Sequence, residues 1–261
     1  MNWLSLDTGA CPAAWNMALD VHLAHAVQDG RCLPVLRLYG WQPHAVSLGF
    51  HQDEGDFNRD ALDADGLHLV RRPTGGKAIL HAEELTYSVA MPVDPMGPRE
   101  IYRWLNIGLL RALDLLGIRA TLARVDDHFP SLYRNKTSIP CFSSSARSEI
   151  QVAGRKIIGS AQRRYGSAIL QHGSILLGPA HKTLVRYLAE GTGGHAREME
   201  QSLQQKTIDA RSALGRIVSY EEAAQAVRRG FAEALNIDFT DTNVHDLAPL
   251  IGEGELLGEY Q

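Results

Sequence analysis

Apolar residues recur at helical spacing from Trp15 to Val27, and Asp29-Gly30 supplies a stop, so this segment is predicted to be a helix. Short runs rich in β-branched and aliphatic residues follow at Val35–Tyr39, Ala45–Phe50 and Leu67–Arg72. The first two flank a Gly-Trp-Gln-Pro turn, and all three read as strands. Leu85 to Ala90 (LTYSVA) alternates apolar with small polar residues, the pattern of a strand with one buried face. Ile101, Trp104, Leu105, Leu109, Ala112, Leu113 and Leu116 fall on one side of a second helix, which Gly117 closes. Ala153-Gly154 between Glu149–Val152 and Arg155–Ile158 is a hairpin signal, and Ile169–Leu177 is a further strand. Ser219 with Glu222 forms a capping box that opens a last long helix to about Leu235.

Strands and helices interleave, yet several strand pairs are joined by short turns. The expected fold is therefore α/β (α+β), a mixed and partly antiparallel sheet backed by helices. Residues 1–240 are assigned to one catalytic domain, and residues 241–261 to an acidic, irregular C-terminal tail, docked or mobile. A dinucleotide fold is disfavoured because no Gly-x-Gly-x-x-Gly follows a strand.

Composition changes the picture in three ways. The chain has 261 residues, 44% of them hydrophobic and 21% charged, which is enough to bury a sizeable core. Its 26 basic and 30 acidic residues leave a net charge of −4, so no nucleic acid is expected as partner and any anionic partner must meet a local basic patch. No apolar run approaches a membrane span, and the N-terminus lacks the form of a signal peptide, so no membrane partner is expected. The three cysteines, Cys11, Cys32 and Cys141, show no metal spacing. Free thiols point to a reducing cytoplasm.

The densest chemistry lies in VRRPTGGKAILH, Val70–His81. Two adjacent glycines let backbone approach a ligand, and their N–H groups can form an anion nest beside Arg71, Arg72 and Lys77. The competing reading is a tight hairpin with solvated arginines. P-loop spacing is absent. Asp126-Asp127-His128 looks ligand-like but lacks the further ligands of a defined metal site, and no metal is expected.

Arg71-Arg72-Pro73-Thr74-Gly75-Gly76-Lys77-Ala78, then His81 and Glu84-Leu85-Thr86-Tyr87-Ser88, resembles the signature of the lipoate–protein ligase A and octanoyltransferase superfamily. A second block, Gly154-Arg155-Lys156-Ile157-Ile158-Gly159-Ser160-Ala161-Gln162 with Gln171-His172-Gly173-Ser174, is similar to that family's lysine-bearing hairpin and the strand after it. Leu36–Trp41 and Ser47-Leu48-Gly49 also fit, so the resemblance runs from about Asn16 to Leu235. It implies the biotin/lipoate ligase catalytic-domain fold, which is class II synthetase-like. It also implies an acyl pocket contacted by Arg71, Arg72, Thr74, Gly75, Gly76, Lys77 and His81, and by Gly159, Ser160, Ala161, His172 and Gly173.

Cys141, in Ser138-Ile139-Pro140-Cys141-Phe142-Ser143-Ser144, resembles the nucleophile of the LipM-type octanoyltransferases, which lies in a Cys-Phe dipeptide at this point. Arg134, Lys136 and Arg147 nearby favour a thiolate, and a serine-rich loop is a poor place for a packing cysteine. Cys11 and Cys32 lack such surroundings and read as structural.

The implied reaction moves an octanoyl group from acyl carrier protein, through a Cys141 thioester, to a lysine of a lipoyl-domain protein. The acceptor that the resemblance implies is the glycine cleavage H protein or a 2-oxoacid dehydrogenase E2. Lys156 is the expected oxyanion donor, against the alternative of a solvated hairpin lysine. His81 and His172 are either proton shuttles or satisfied strand histidines. Arg71, Arg72 and Lys77 are expected to bind a phosphopantetheine phosphate or to orient the loop. Arg147, Arg155, Arg163 and Arg164 are placed to face acidic protein partners. No cofactor is expected. ATP and Mg belong only to the rival reading, an ATP-dependent lipoate ligase, and a second rival is an amidotransferase between lipoyl domains.

Overall fold

The computed structural model describes residues 1–123, 149–189 and 193–251. Its first half runs β1 (Asn2–Cys11), α1 (Ala13–Gln28), β2 (Val35–Trp41), β3 (Ala45–Leu48), α2 (Arg59–Ala64), β4 (His68–Arg71), β5 (Ile79–His81), β6 (Glu84–Pro92) and α3 (Pro98–Leu115). The second runs β7 (Thr121–Leu122), β8 (Ile150–Val152), β9 (Arg155–Tyr165), β10 (Ala168–Leu176), α4 (Gly193–Lys206), α5 (Ala210–Leu214), α6 (Tyr220–Leu235), β11 (Asp238–Thr242) and α7 (Val244–Ile251).

Among the described residues the strands form two sheets. One has eight strands in the order β11-β1-β2-β6-β10-β9-β8-β7, and the other three in the order β4-β3-β5. In the large sheet β1 is parallel to both neighbours, whereas β2-β6, β6-β10, β10-β9, β9-β8 and β8-β7 are antiparallel. This is the mixed, partly antiparallel sheet expected from the interleaved pattern. Its reason is visible at Ala153 (φ 49°) and Gly154 (φ 75°), whose two positive φ angles make the tight turn between β8 and β9.

One face of the large sheet packs on α3 and α6 through Leu36, Leu85, Tyr87, Ile101, Leu105, Leu109 and Phe231, all fully buried. On the other, Leu19 and Leu23 of α1 meet Leu170 of β10. The capping box holds: the Ser219 hydroxyl accepts from the Glu222 amide at 3.1 Å. Among the described residues no helix is long and apolar enough to cross a membrane.

The differences from the sequence pattern are instructive. β1 was not expected, because Asn2–Cys11 alternates poorly and its pairing to β2 shifts register between Asp7 and Gly9. The irregular tail expected from Asp241 instead enters a strand and then a helix. Residues Asp238–Thr242 pair in parallel with β1, and Leu247 of α7 packs into the α1 core. The pairing comes from the far end of the chain, so no local signal announces it.

Candidate active site

The glycine loop is built around one cation. Arg72 is 4% exposed, and its guanidinium spends its N–H groups inside the protein. Nε and Nη2 donate to the Gly75 carbonyl at 3.2 and 2.9 Å, and Nη2 also reaches the Lys77 carbonyl at 2.7 Å. Nη1 donates to the Ser47 carbonyl and hydroxyl, both at 3.1 Å. The turn closes at Gly76, φ 96°, a region L residues rarely enter. A Cβ on Gly76 would stand 2.7 Å from Arg72 Nη2. Arg72 is thus a staple that holds the loop against β3.

Arg71 points outward and is used differently. Its Nη1 donates to the Gln52 carbonyl at 2.6 Å, and Nη2 pairs with Glu54 at 3.4 Å. Arg71 and Arg72 spend these contacts on orienting the loop. Lys77 is half-buried beside the turn.

Behind the loop, between the two sheets, lies a narrow cavity of about 20 Å³. Among the residues that the sequence singled out, Arg72, His81, Gly159, Ser160, Ala161, His172 and Gly173 line it. Thr74 stands one hydrogen bond behind that wall. Arg71, Gly75, Gly76 and Lys77 are not part of its lining. Strand pairing explains the gathering: Ala161 faces His172, Ser160 faces Gly173, and both strands abut β6 or one another across the sheet. Gly173 has no room for a side chain, since a Cβ there would lie 2.6 Å from the Gly159 carbonyl and 2.6 Å from Tyr87 Cε1.

Each cavity histidine is clamped by a carboxylate on one nitrogen and a hydroxyl on the other. His172 Nδ1 lies 3.1 Å from Asp20 Oδ2, and Nε2 lies 2.6 Å from Thr74 Oγ1. Burial pushes the His172 pKa below the usual imidazole value, against the pull of Asp20. A neutral ring then donates from Nδ1 to the carboxylate, and Nε2 accepts from the Thr74 hydroxyl. His81 Nδ1 lies 2.7 Å from Glu84, and Nε2 lies 2.7 Å from Ser47 Oγ. Trp41 stacks on the His81 ring at 3.9 Å and 16°, and its Nε1 donates to Thr86 Oγ1 at 2.8 Å. The Thr86 and Ser174 hydroxyls both donate to Glu84.

Behind His172 sits a buried ion pair. Arg37 Nη1 and Asp20 Oδ1 are 2.8 Å apart with both side chains fully buried. Tyr39 and Ser88 hydroxyls add bonds to Asp20 at 2.9 and 2.7 Å, and Asn16 Oδ1 accepts from Arg37 Nη2 at 2.6 Å. Burial opposes ionisation of Asp20, but bonds from His172, Arg37 and Ser88 outweigh it and hold the carboxyl below its ordinary range. Asp20, Arg37, Ser47, Glu84 and Trp41 were not expected as site residues. A charged residue amid apolar ones, as in Leu36-Arg37-Leu38 and Leu19-Asp20-Val21, is the signal that could have found this pair.

Lys156 is buried on β9, and its Nζ donates to Glu149 at 2.6 Å, with the two side chains 6% and 3% exposed. It is therefore no solvated hairpin lysine, and it lies outside the cavity lining. Arg163 reaches the Pro73 carbonyl at 2.9 Å and covers the Phe50 ring at 4.7 Å, beside the cavity. Cys141, Arg134, Lys136, Arg147 and Asp126-Asp127-His128 lie outside the described residues. Cys11 and Cys32 are half-buried, and burial raises both thiols.

The wall carries many polar groups, yet they are mutually satisfied. Among the described residues the buried side-chain N or O without a partner is Nε of Arg228, on α6. A cavity whose polar atoms already have partners offers a ligand chiefly apolar contact.

The family model of the lipoyl protein ligase A/B catalytic domain matches residues 12–232, and the chain belongs to that family. The octanoyltransferase LipM of Symbiobacterium thermophilum is 42% identical over 242 residues, covering 92% of this chain and 88% of that one. That of Bacillus subtilis is 36% identical, covering 90% and 87%. A bipartite lipoate protein ligase of Thermoplasma acidophilum shares the fold with a TM-score of 0.79 at 22% identity, over 100% of this chain and 94% of that one.

Proposed function

We propose that this protein is an octanoyltransferase of lipoate biosynthesis that works by double displacement. The observation that carries the reading is the similarity to relatives named octanoyltransferases, 42% identical over 92% of this chain, and the cavity wall whose polar groups are already hydrogen-bonded is compatible with an apolar tail. The Cys141 thiolate attacks the carbonyl of an octanoyl thioester on acyl carrier protein, and the pantetheine thiolate leaves. The ε-amine of a lysine on a lipoyl-domain protein, H protein or E2, then attacks the acyl-cysteine. The amide forms, Cys141 leaves as thiolate, and the amine proton passes to solvent or a basic side chain. Lys156 supplies a cation to the oxyanion of both steps, after exchanging its Glu149 partner for the carbonyl.

No step needs a nucleotide. The test is transfer to a lipoyl domain with two donors offered separately: octanoyl carrier protein without ATP, and free octanoate with ATP and Mg. Amide product from the first alone supports the reading. Product from the second alone establishes a ligase instead.

A further inference from the structure

We infer that Met17 is the partition that limits acyl-chain length, standing between the cavity and a second groove that a longer tail would enter. The inference rests on the reading of the cavity as the acyl site. Met17 and Arg72 line both spaces. Beyond them the groove is open and holds about 250 Å³, walled by Ala18, Val21 and His22 of α1 and by Phe50 and Pro73. Of the two shared residues, Arg72 is immobilised by its bonds to Gly75, Lys77 and Ser47. Met17 is 6% exposed and packs among Ala13, Tyr39, Trp41 and Ala45 through apolar contact. An unbranched thioether is the side chain that can be trimmed here without unmaking a polar network.

The direction of the chain follows from the strand order. Lys156 is on β9, whereas Met17 packs over Tyr39 and Trp41 of β2, with β6 and β10 between. Three strand spacings put them roughly 14 Å apart across the sheet. A carbonyl attended from the β9 side therefore sends its tail toward β2, where Met17 ends the space. Removing the thioether joins cavity to groove. Each further methylene then buried is worth about fourfold in affinity.

The experiment compares octanoyl and dodecanoyl thioesters as donors for wild type, Met17→Ala, Met17→Val, Met17→Leu and Met17→Ala/Val21→Trp. Thermal shifts with free octanoate and dodecanoate are read on the same proteins. The dodecanoyl-to-octanoyl ratio should rise about tenfold or more in Met17→Ala and less in Met17→Val, and stay at the wild-type value in Met17→Leu. Val21 lines only the groove, so Trp at that position should fill it and reverse the gain. Unchanged ratios in both trimmed variants, with octanoyl use retained, overturn the inference, as does a gain that Val21→Trp leaves intact. If wild type transfers no octanoate, the functional reading fails, and the thermal shifts alone decide whether Met17 divides the two spaces. Met17→Val carries the comparison if the alanine variant does not fold.

Discussion

Asp20 Oδ2 and His172 Nδ1 lie 3.1 Å apart, joining helix α1 to strand β10 across 152 positions of sequence. The same carboxylate closes the ion pair with Arg37 at 2.8 Å. One buried anion therefore fixes a cavity histidine, a strand arginine and, through His172, the hydroxyl of Thr74 at 2.6 Å.

Asp20→Asn should be strongly destabilising, because it leaves Arg37 buried without a counter-charge. Breaking such a pair costs about 3–5 kcal/mol. Asp20→Asn/Arg37→Met should recover part of that loss. Urea denaturation of the three proteins checks this, and a single variant as stable as wild type would show that the pair contributes nothing.

Acidification should weaken the protein first through its buried histidines. His181 is buried beside Thr207, and burial lowers its pKa from 6.5 to about 4. A depressed histidine is neutral when folded, so its contribution is full above the unfolded value and is lost as pH falls toward the folded one. Between pH 6.5 and about 4 the loss amounts to about 3 kcal/mol. His172 is shifted the same way and adds to it. Asp20 follows only below the ordinary carboxylate range, since its folded pKa lies under 3.8. Denaturation at pH 7 and pH 5 should show a smaller difference in His181→Gln than in wild type. Equal differences would exclude His181 as the source.

Gly76→Val should depress activity with octanoyl and butyryl donors alike and lower the thermal midpoint. Gly76 is exposed, sits at φ 96° and would push a Cβ against Arg72, so the damage is to the loop rather than to the chain's path. Selective loss with octanoyl donors would instead place Gly76 in the acyl wall.

Lys156→Met should cost both stability and rate, because Glu149 is 3% exposed and would lose its partner. Lys156→Met/Glu149→Leu should regain stability while staying about a hundredfold to a thousandfold slower than wild type. Full recovery of rate in the double variant would make the pair purely structural.

The sequence pattern was most legible where a motif and a periodicity coincide. The β8–β9 hairpin, α3 and α6 fall where local spacing puts them, whereas Gly159–Ala161, beyond the expected strand end at Ile158, and His172–Gly173 were marked by the family resemblance. What was hidden depends on partners far away in sequence. Met17 and Ser47 look ordinary in isolation, and only the packing of α1 and β3 against the large sheet gives them a role. Arg72 was visible as a charge, but its use as a staple follows from carbonyls that the turn itself turns inward.

The central claim, an acyl-cysteine at Cys141, is tested most directly by intact mass and peptide mapping after incubation with octanoyl carrier protein. The account predicts one octanoyl adduct on the Cys141 peptide of wild type. The adduct should be released by neutral hydroxylamine, consumed on adding lipoyl domain, and missing from Cys141→Ala. Transfer to the lipoyl domain by Cys141→Ala at the wild-type rate, or an adduct on another residue that the acceptor consumes, would contradict it.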